Sequence, residues 1–143
     1  MTVIAWDGKT LAADKRGTFG GLSRRVTKIF VVHDELVGIA GNACEGYDLI
    51  AWIEGGCKLL EFPVNQRDEK LWAECLVIAR DGSVRIYQRS PNACYIHDRF
   101  TAIGSGRDFA LAAMHLGKSA REAVEVACVF DTGCGNGVDT IQL

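Results

Sequence analysis

Proline is scarce in this chain of 143 residues, with two against sixteen glycines, so tight turns are expected and rigid linkers are not. No charge of one sign dominates: sixteen Lys and Arg stand against eighteen Asp and Glu, a net charge of −2. That balance leaves no electrostatic footprint for nucleic acid or for a membrane surface. Long hydrophobic runs are missing too, and the one stretch worth testing as a span contains Glu45, Asp48 and Glu54 and is rejected. The first residues have neither a basic n-region nor a continuous apolar h-region, so no secretory signal is expected and the cytoplasm is the expected compartment. The six cysteines (Cys44, Cys57, Cys75, Cys94, Cys128, Cys134) form no CxxC, and most lie in apolar runs. Reduced, buried thiols are therefore expected, not three bridges. None of His33, His97 and His115 is spaced with a cysteine as a metal-ligating pair, so neither a metal nor a cofactor is expected.

What is present is an ordinary globular composition, 48% hydrophobic and 24% charged, at a length that fits one domain over residues 1–143. Asp7-Gly8-Lys9 between the apolar runs 2–6 and 10–13 predicts a hairpin. Residues 15–23, polar and glycine-rich, read as a loop. Two further strands, 28–32 and 36–40, are near-continuously apolar and predicted to be buried on both faces. Helical spacing runs over about 43–60, weakened at Gly55-Gly56, where a kink or early stop is allowed for. After a polar connector at 63–70 come a hairpin turned at Asp81-Gly82, short strands at 94–97 and 100–103, and an alanine-rich helix over 108–116. Ser119 and Glu122 form a capping-box pattern that opens a second helix to about Val129, and a strand over 138–143 ends the chain. The expected class is α+β, a four-layer αββα sandwich of two antiparallel sheets flanked by helices.

Chemistry centres first on Thr2. Methionine is usually trimmed before a small second residue, and a free N-terminal threonine carries a hydroxyl nucleophile beside an amine that can act as its base. Such an amine titrates near pH ~8, so a useful fraction is neutral at working pH. A nearby lysine would help to lower the barrier to losing the hydroxyl proton, and a carboxylate would hold that lysine in place.

Thr2 at the start of the first strand, Asp14-Lys15-Arg16-Gly17-Thr18 after the second, Lys28-Ile29 opening the third and Ala40-Gly41-Asn42 ending the fourth together resemble a proteasome β-subunit. Ala102-Ile103-Gly104-Ser105-Gly106, the helix containing Phe109-Ala110-Leu111-Ala112-Ala113, and Ser119-Ala120-Arg121-Glu122 are similar to the bacterial HslV peptidase of the same N-terminal nucleophile (Ntn) hydrolase family. The resemblance covers nearly the whole chain in order, although the chain is shorter than typical HslV around the first helix and its connector. It implies catalytic roles for Thr2, Asp14, Lys28, Ser105 and Asp131. It also implies an oxyanion-hole N–H from Gly41 and a strand-like substrate clamp around Thr18. Arg24, Arg25 and Lys28 crowd one entry, and a gapless HslV register favours Arg25; the proteasome spacing favours Lys28, the preferred residue. Cys134 stands where many β-subunits have a supporting serine, and a thiol is a weaker donor.

The residues have plainer readings as well: Asp14 as a turn residue, Lys28 as a strand-end lysine, Gly41 as a strand cap. Gly104-Ser105-Gly106 lacks both the lysine of a P-loop and the GxGxxG pattern. The expected function is a threonine peptidase acting on peptides or unfolded proteins through an acyl-enzyme, in a homo-oligomeric ring with an ATP-dependent unfoldase as a compatible partner. Two alternatives stay open, an inactive structural subunit that keeps Met1 and an Ntn amidase acting on a small amide. A compact, leaderless chain also suits a phage or mobile-element protein working in a host cytoplasm.

Overall fold

Asp7 sets the first turn: its Oδ1 accepts from the N–H groups of Lys9 and Thr10 at 2.9 and 2.8 Å, and the chain reverses into an antiparallel hairpin. The computed structural model describes residues 1–64 and 70–143; most of the expected polar connector, 65–69, lies outside the described residues. In chain order the strands are β1 (Ile4–Trp6), β2 (Thr10–Asp14), β3 (Arg16–Phe19), β4 (Leu22–Arg25), β5 (Ile29–Val32), β6 (Glu35–Gly41), β7 (Ala73–Ile78), β8 (Val84–Tyr87), β9 (Cys94–Ile96), β10 (Thr101–Ile103) and β11 (Val138–Gln142). The helices are α1 (Ala43–Glu54), α2 (Arg107–His115) and α3 (Ala120–Phe130), with a 3-10 turn at Leu59–Glu61. The protein is α+β, with antiparallel sheets and three α-helices among the described residues. Its contacts divide it into two units, Met1–Ile29 with Asp98–Leu143, and Phe30–His97.

In the first unit the sheet order is β10-β1-β2-β11. Ile4 pairs with Ala13 and with Ile103, and Val138 with Asp14, so β1 and β2 are central strands. Val3, Ala5 and Ala12 form one core with Ala110, Ala113, Ala120, Ala123, Val124 and Ala127 of the two helices. The alanines let α2 and α3 sit close to the sheet, while Ile4 and Leu11 on the alternate positions are equally buried. The capping box that starts α3 is complete: Ser119 Oγ accepts from Glu122 N–H and the Glu122 carboxylate accepts from Ser119 N–H. Such a cap stabilises by about 1 kcal/mol. Asp7 Oδ2 adds a further acceptor for Ala120 N–H at 2.8 Å, tying the hairpin turn to the helix start.

The second unit is built on the sheet β5-β6-β7-β8-β9. Here α1 places Leu49, Trp52 and Ile53 against Val37, Ile39, Cys75 and Val77. Trp52 meets Phe62 and Tyr87 edge-to-face at 5.0 Å each and donates its Nε1–H to the Lys58 carbonyl at 2.8 Å, so the largest core side chain has its polar atom satisfied.

Four expectations need correction. Residues 15–23 are not a simple loop: β3 and β4 pair as a two-stranded ribbon, Thr18 opposite Ser23, with β4 exposed throughout. Helix α1 ends at Glu54 and not near residue 60, because Gly55 caps it and Gly56 follows with φ +94°. Strand β5 is not buried throughout: its two ends, Ile29 and Val32, are buried on opposite faces, while Val31 is exposed. Only Cys75 and Cys134 of the six free cysteines are buried; Cys44 and Cys94 are exposed. No described helix is long and apolar enough to cross a membrane.

Candidate active site

Asp14 ends β2 with its side chain fully buried, and a buried carboxylate must have its lone pairs satisfied. Four donors do this. Oδ1 accepts from the Val3 N–H at 3.0 Å and from the Lys28 ammonium at 2.8 Å; Oδ2 accepts from the N–H groups of Arg16 at 3.1 Å and Gly135 at 3.0 Å. The lysine that answers it is buried too, and it also donates to the Met1 carbonyl at 3.2 Å. A buried lysine–aspartate pair therefore lies directly beside the Met1–Thr2 peptide bond. Arg25 does not take this place: it pairs in the ribbon opposite Arg16 and is exposed.

Thr2 is buried, and its backbone is gripped by the turn after β10. Its N–H donates to Ser105 Oγ at 3.2 Å, and its carbonyl accepts from Gly106 N–H at 3.1 Å. Gly104, with φ +92°, is required by this approach, since a Cβ there would collide with the Thr2 carbonyl. Ser105 in turn donates its hydroxyl proton to Asp131 Oδ2 at 2.6 Å. Asp131 caps the end of α3 and also accepts from Gly133 N–H at 2.8 Å and from the Cys134 thiol at 3.4 Å. These donors, the Ser105 hydroxyl foremost, hold the Asp131 carboxyl below its ordinary value of 3.8. Cys134 is pushed up to about 12, first by burial and then by the Asp14 and Asp131 carboxylates, so it stays a neutral donor and is no thiolate nucleophile.

Thr2, Asp14, Lys28, Ser105, Asp131 and Cys134 thus gather in the first unit. Thr18 lies in the same unit on the exposed ribbon. Gly41 belongs to the second unit, at the end of β6, with φ +104° and a backbone so close to Trp72 that a Cβ would stand 2.6 Å from its carbonyl oxygen. The three histidines are exposed, and among the described residues no group of His, Cys, Asp and Glu is arranged to hold a metal. Sequence reasoning missed the Arg16 and Gly135 N–H donors to Asp14, because main-chain donors have no side-chain signature. It also missed the Arg16 guanidinium, which donates to the Thr132 carbonyl at 2.7 Å; its adjacency to Asp14 was the available signal.

The family model described as "Proteasome subunit" matches residues 1–129. The chain belongs to the proteasome subunit family. Among curated relatives, proteasome subunit beta 1 of Thermococcus kodakarensis is 28% identical over 173 residues, covering 99% of this chain and 85% of the relative. Proteasome subunit beta of Methanopyrus kandleri is 25% identical over 176 residues, covering 99% and 84%. Both alignments are longer than the 143 residues of this family member, so the relatives carry additional segments between matched positions. The fold is shared with Thiobacillus denitrificans BPH in complex with epoxomicin, at a TM-score of 0.75 and 20% identity over 100% of this chain and 98% of that one. It is shared also with the eukaryotic HslV from Trypanosoma brucei, at 0.71 and 23% over 98% and 97%.

Proposed function

We propose that the chain is a threonine peptidase subunit whose nucleophile is Thr2 once Met1 has been removed. The observation that carries this is the buried Lys28 ammonium, held by Asp14 at 2.8 Å and donating to the carbonyl of the residue just before Thr2. Loss of Met1 removes that acceptor and turns the Thr2 amide into an amine, leaving Lys28 able to stabilise a developing Thr2 alkoxide. The amine takes the hydroxyl proton as the oxygen adds to a substrate carbonyl. Collapse of the tetrahedral adduct breaks the amide C–N bond, the leaving amine takes the proton, and a threonyl ester remains. Water, deprotonated by the same amine, then hydrolyses the ester. In this reading Ser105 and Asp131 hold the amine, and the backbone around Thr18 aligns an extended peptide.

Residues 1–143 act here as one proteasome-like domain in a homo-oligomeric ring in the cytoplasm, with an ATP-dependent unfoldase as a compatible partner. Family membership and the fold shared with BPH and HslV support this part. A second reading, an inactive structural subunit, is favoured by one feature: the Met1–Thr2 bond is hydrogen-bonded on both sides, its carbonyl by Lys28 and its N–H to Ser105. A chain that keeps Met1 keeps its amine acylated.

Intact mass and a β-lactone probe separate the two. Loss of one methionine and a single adduct mapped to Thr2 are expected, with Thr2→Ala unlabelled yet folded by circular dichroism. Retention of Met1 with no labelling at high probe concentration would sink the peptidase reading.

A further inference from the structure

The loop from Asp131 to Gly137 supplies both arms of the site. Asp131 holds Ser105, which accepts the Thr2 N–H, and Gly135 N–H holds Asp14, which holds Lys28. Three of the loop's seven residues are glycine, so its sequence does little to restrict its backbone, and its geometry must be imposed by anchors. Some of these are main-chain or come from Arg16: Lys15 N–H donates to the Gly135 carbonyl at 2.9 Å, and Arg16 Nη1 to the Thr132 carbonyl. Another is a side chain of the loop itself. Asn136 donates through Nδ2 to Ser23 Oγ at 2.8 Å and to the Arg24 carbonyl at 3.1 Å, both on β4. A carbonyl accepts only, so the amide must present its NH2 and cannot be flipped. The residue sits at φ +63°, a conformation that asparagine tolerates better than most side chains.

We infer that Asn136 is a positioning residue: it clamps the site-bearing loop to the exposed β3–β4 ribbon and so sets the Asp131–Ser105–Thr2 and Gly135–Asp14–Lys28 contacts together. The ribbon, which buries no residue of β4, gains a function from this as the external brace of the loop. The catalytic consequence rests on the peptidase reading; the clamp does not.

Two substitutions test it. Asn136→Gly permits the backbone angle and deletes the amide. Asn136→Asp keeps size and backbone preference but places an acceptor against the Arg24 carbonyl. In both, amide hydrogen exchange at Gly133 and Gly135 should accelerate at least tenfold while the amides of α3 keep their protection. The β-lactone labelling rate at Thr2 should fall at least tenfold, with its pH profile displaced because the amine has lost its held partner; a fold-wide loosening would speed exchange in α3 as well. Unchanged exchange at Gly133 and Gly135 overturns the clamp, and faster exchange with a wild-type labelling rate and pH profile overturns the positioning role. A wild-type protein that never labels removes the peptidase reading, and exchange alone then decides for or against the clamp.

Discussion

The most enclosed ion pair described in each unit of the molecule serves a different purpose. In the second unit Arg85 on β8 grips Glu35 at the start of β6 through two parallel bonds of 2.7 and 3.0 Å, spanning the intervening β7, and adds Nε–H to the Tyr87 hydroxyl at 3.0 Å. The side chains keep 14% and 22% exposure. Glu35, more than any other neighbour, holds the guanidinium in its charged form and raises its pKa further. A group that never loses its proton in proteins serves as a brace across strands. In the first unit the pair is Lys28–Asp14, at 7% and 0% exposure, and the cation is a compact ammonium on a flexible stem, not a planar guanidinium. Its carboxylate is saturated by three backbone N–H groups as well, while its ammonium extends a second bond to the peptide that precedes Thr2. Formal chemistry does not distinguish the pairs. Burial, the choice of lysine and the direction of the remaining donor do.

The largest test of that distinction is to remove each cation. Lys28→Met leaves Asp14 charged, enclosed and short of its strongest partner, which should cost about 3–5 kcal/mol of stability. Arg85→Met strips hydrogen bonds from a partly solvated carboxylate and should cost about 1–2 kcal/mol. Urea denaturation reads both. Lys28→Arg keeps the charge and should stay folded yet lose Thr2 labelling, whereas Arg85→Met should label at the wild-type rate. Equal destabilisation by the two methionine substitutions, or loss of labelling in Arg85→Met, would erase the difference between the pairs.

The two units also differ in how well the sequence announced them. Strong patterns transferred well: the Asp7-Gly8 and Asp81-Gly82 turns and the capping box at Ser119 each act through local chemistry, and each is where the pattern put it. The β3–β4 ribbon was missed because hydrophobic periodicity needs a buried face, and Leu22-Ser23-Arg24-Arg25 has none. That same omission left Arg25 and Lys28 hard to separate, since only the ribbon's register turns Arg25 outward opposite Arg16. Asp14, Lys28, Ser105 and Asp131 were legible through family spacing. The backbone donors from Arg16 and Gly135, and the Asn136 amide, come from long-range closure of the chain, for which no local pattern exists.

A smaller contrast lies in the two buried thiols. Cys75 in the second unit and Cys134 in the first are both pushed up to about 12, chiefly by burial. Cys75 sits among Val37, Val77 and Trp52 in an apolar core, so Cys75→Ser buries a hydroxyl in poor surroundings and should cost about 1–2 kcal/mol. Cys134 faces Asp131 at 3.4 Å, and Cys134→Ser supplies a better donor to the same carboxylate. Its effect on stability should stay within about 1 kcal/mol, with labelling retained. Native-state alkylation read by mass spectrometry should modify Cys44 and Cys94 and spare both buried thiols. If the two serine variants prove equally destabilised, the Cys134–Asp131 contact contributes nothing.

The smallest expected difference is between two carboxylates that both meet a serine. Asp81 in the β7–β8 turn is lowered by Ser83, and Asp131 is lowered first by Ser105. A depressed folded-state pKa contributes stability that is complete above the ordinary value of 3.8 and is lost as pH falls through the lower folded value. Asp81 is fully exposed, and Asp81→Asn should leave the acid limb of a stability–pH curve unchanged. Asp131 is enclosed on one side by Ser105, Gly133 and Cys134, and its protonation removes the acceptor that fixes the Ser105 hydroxyl. Asp131→Asn should therefore flatten the acid limb slightly while leaving it intact overall, because it removes one carboxylate among eighteen acidic side chains. Thermal melts taken from neutral pH to below that ordinary value decide the matter: parallel acid limbs for wild type and Asp131→Asn would mean that the Ser105–Asp131 bond orients Thr2 without stabilising the fold.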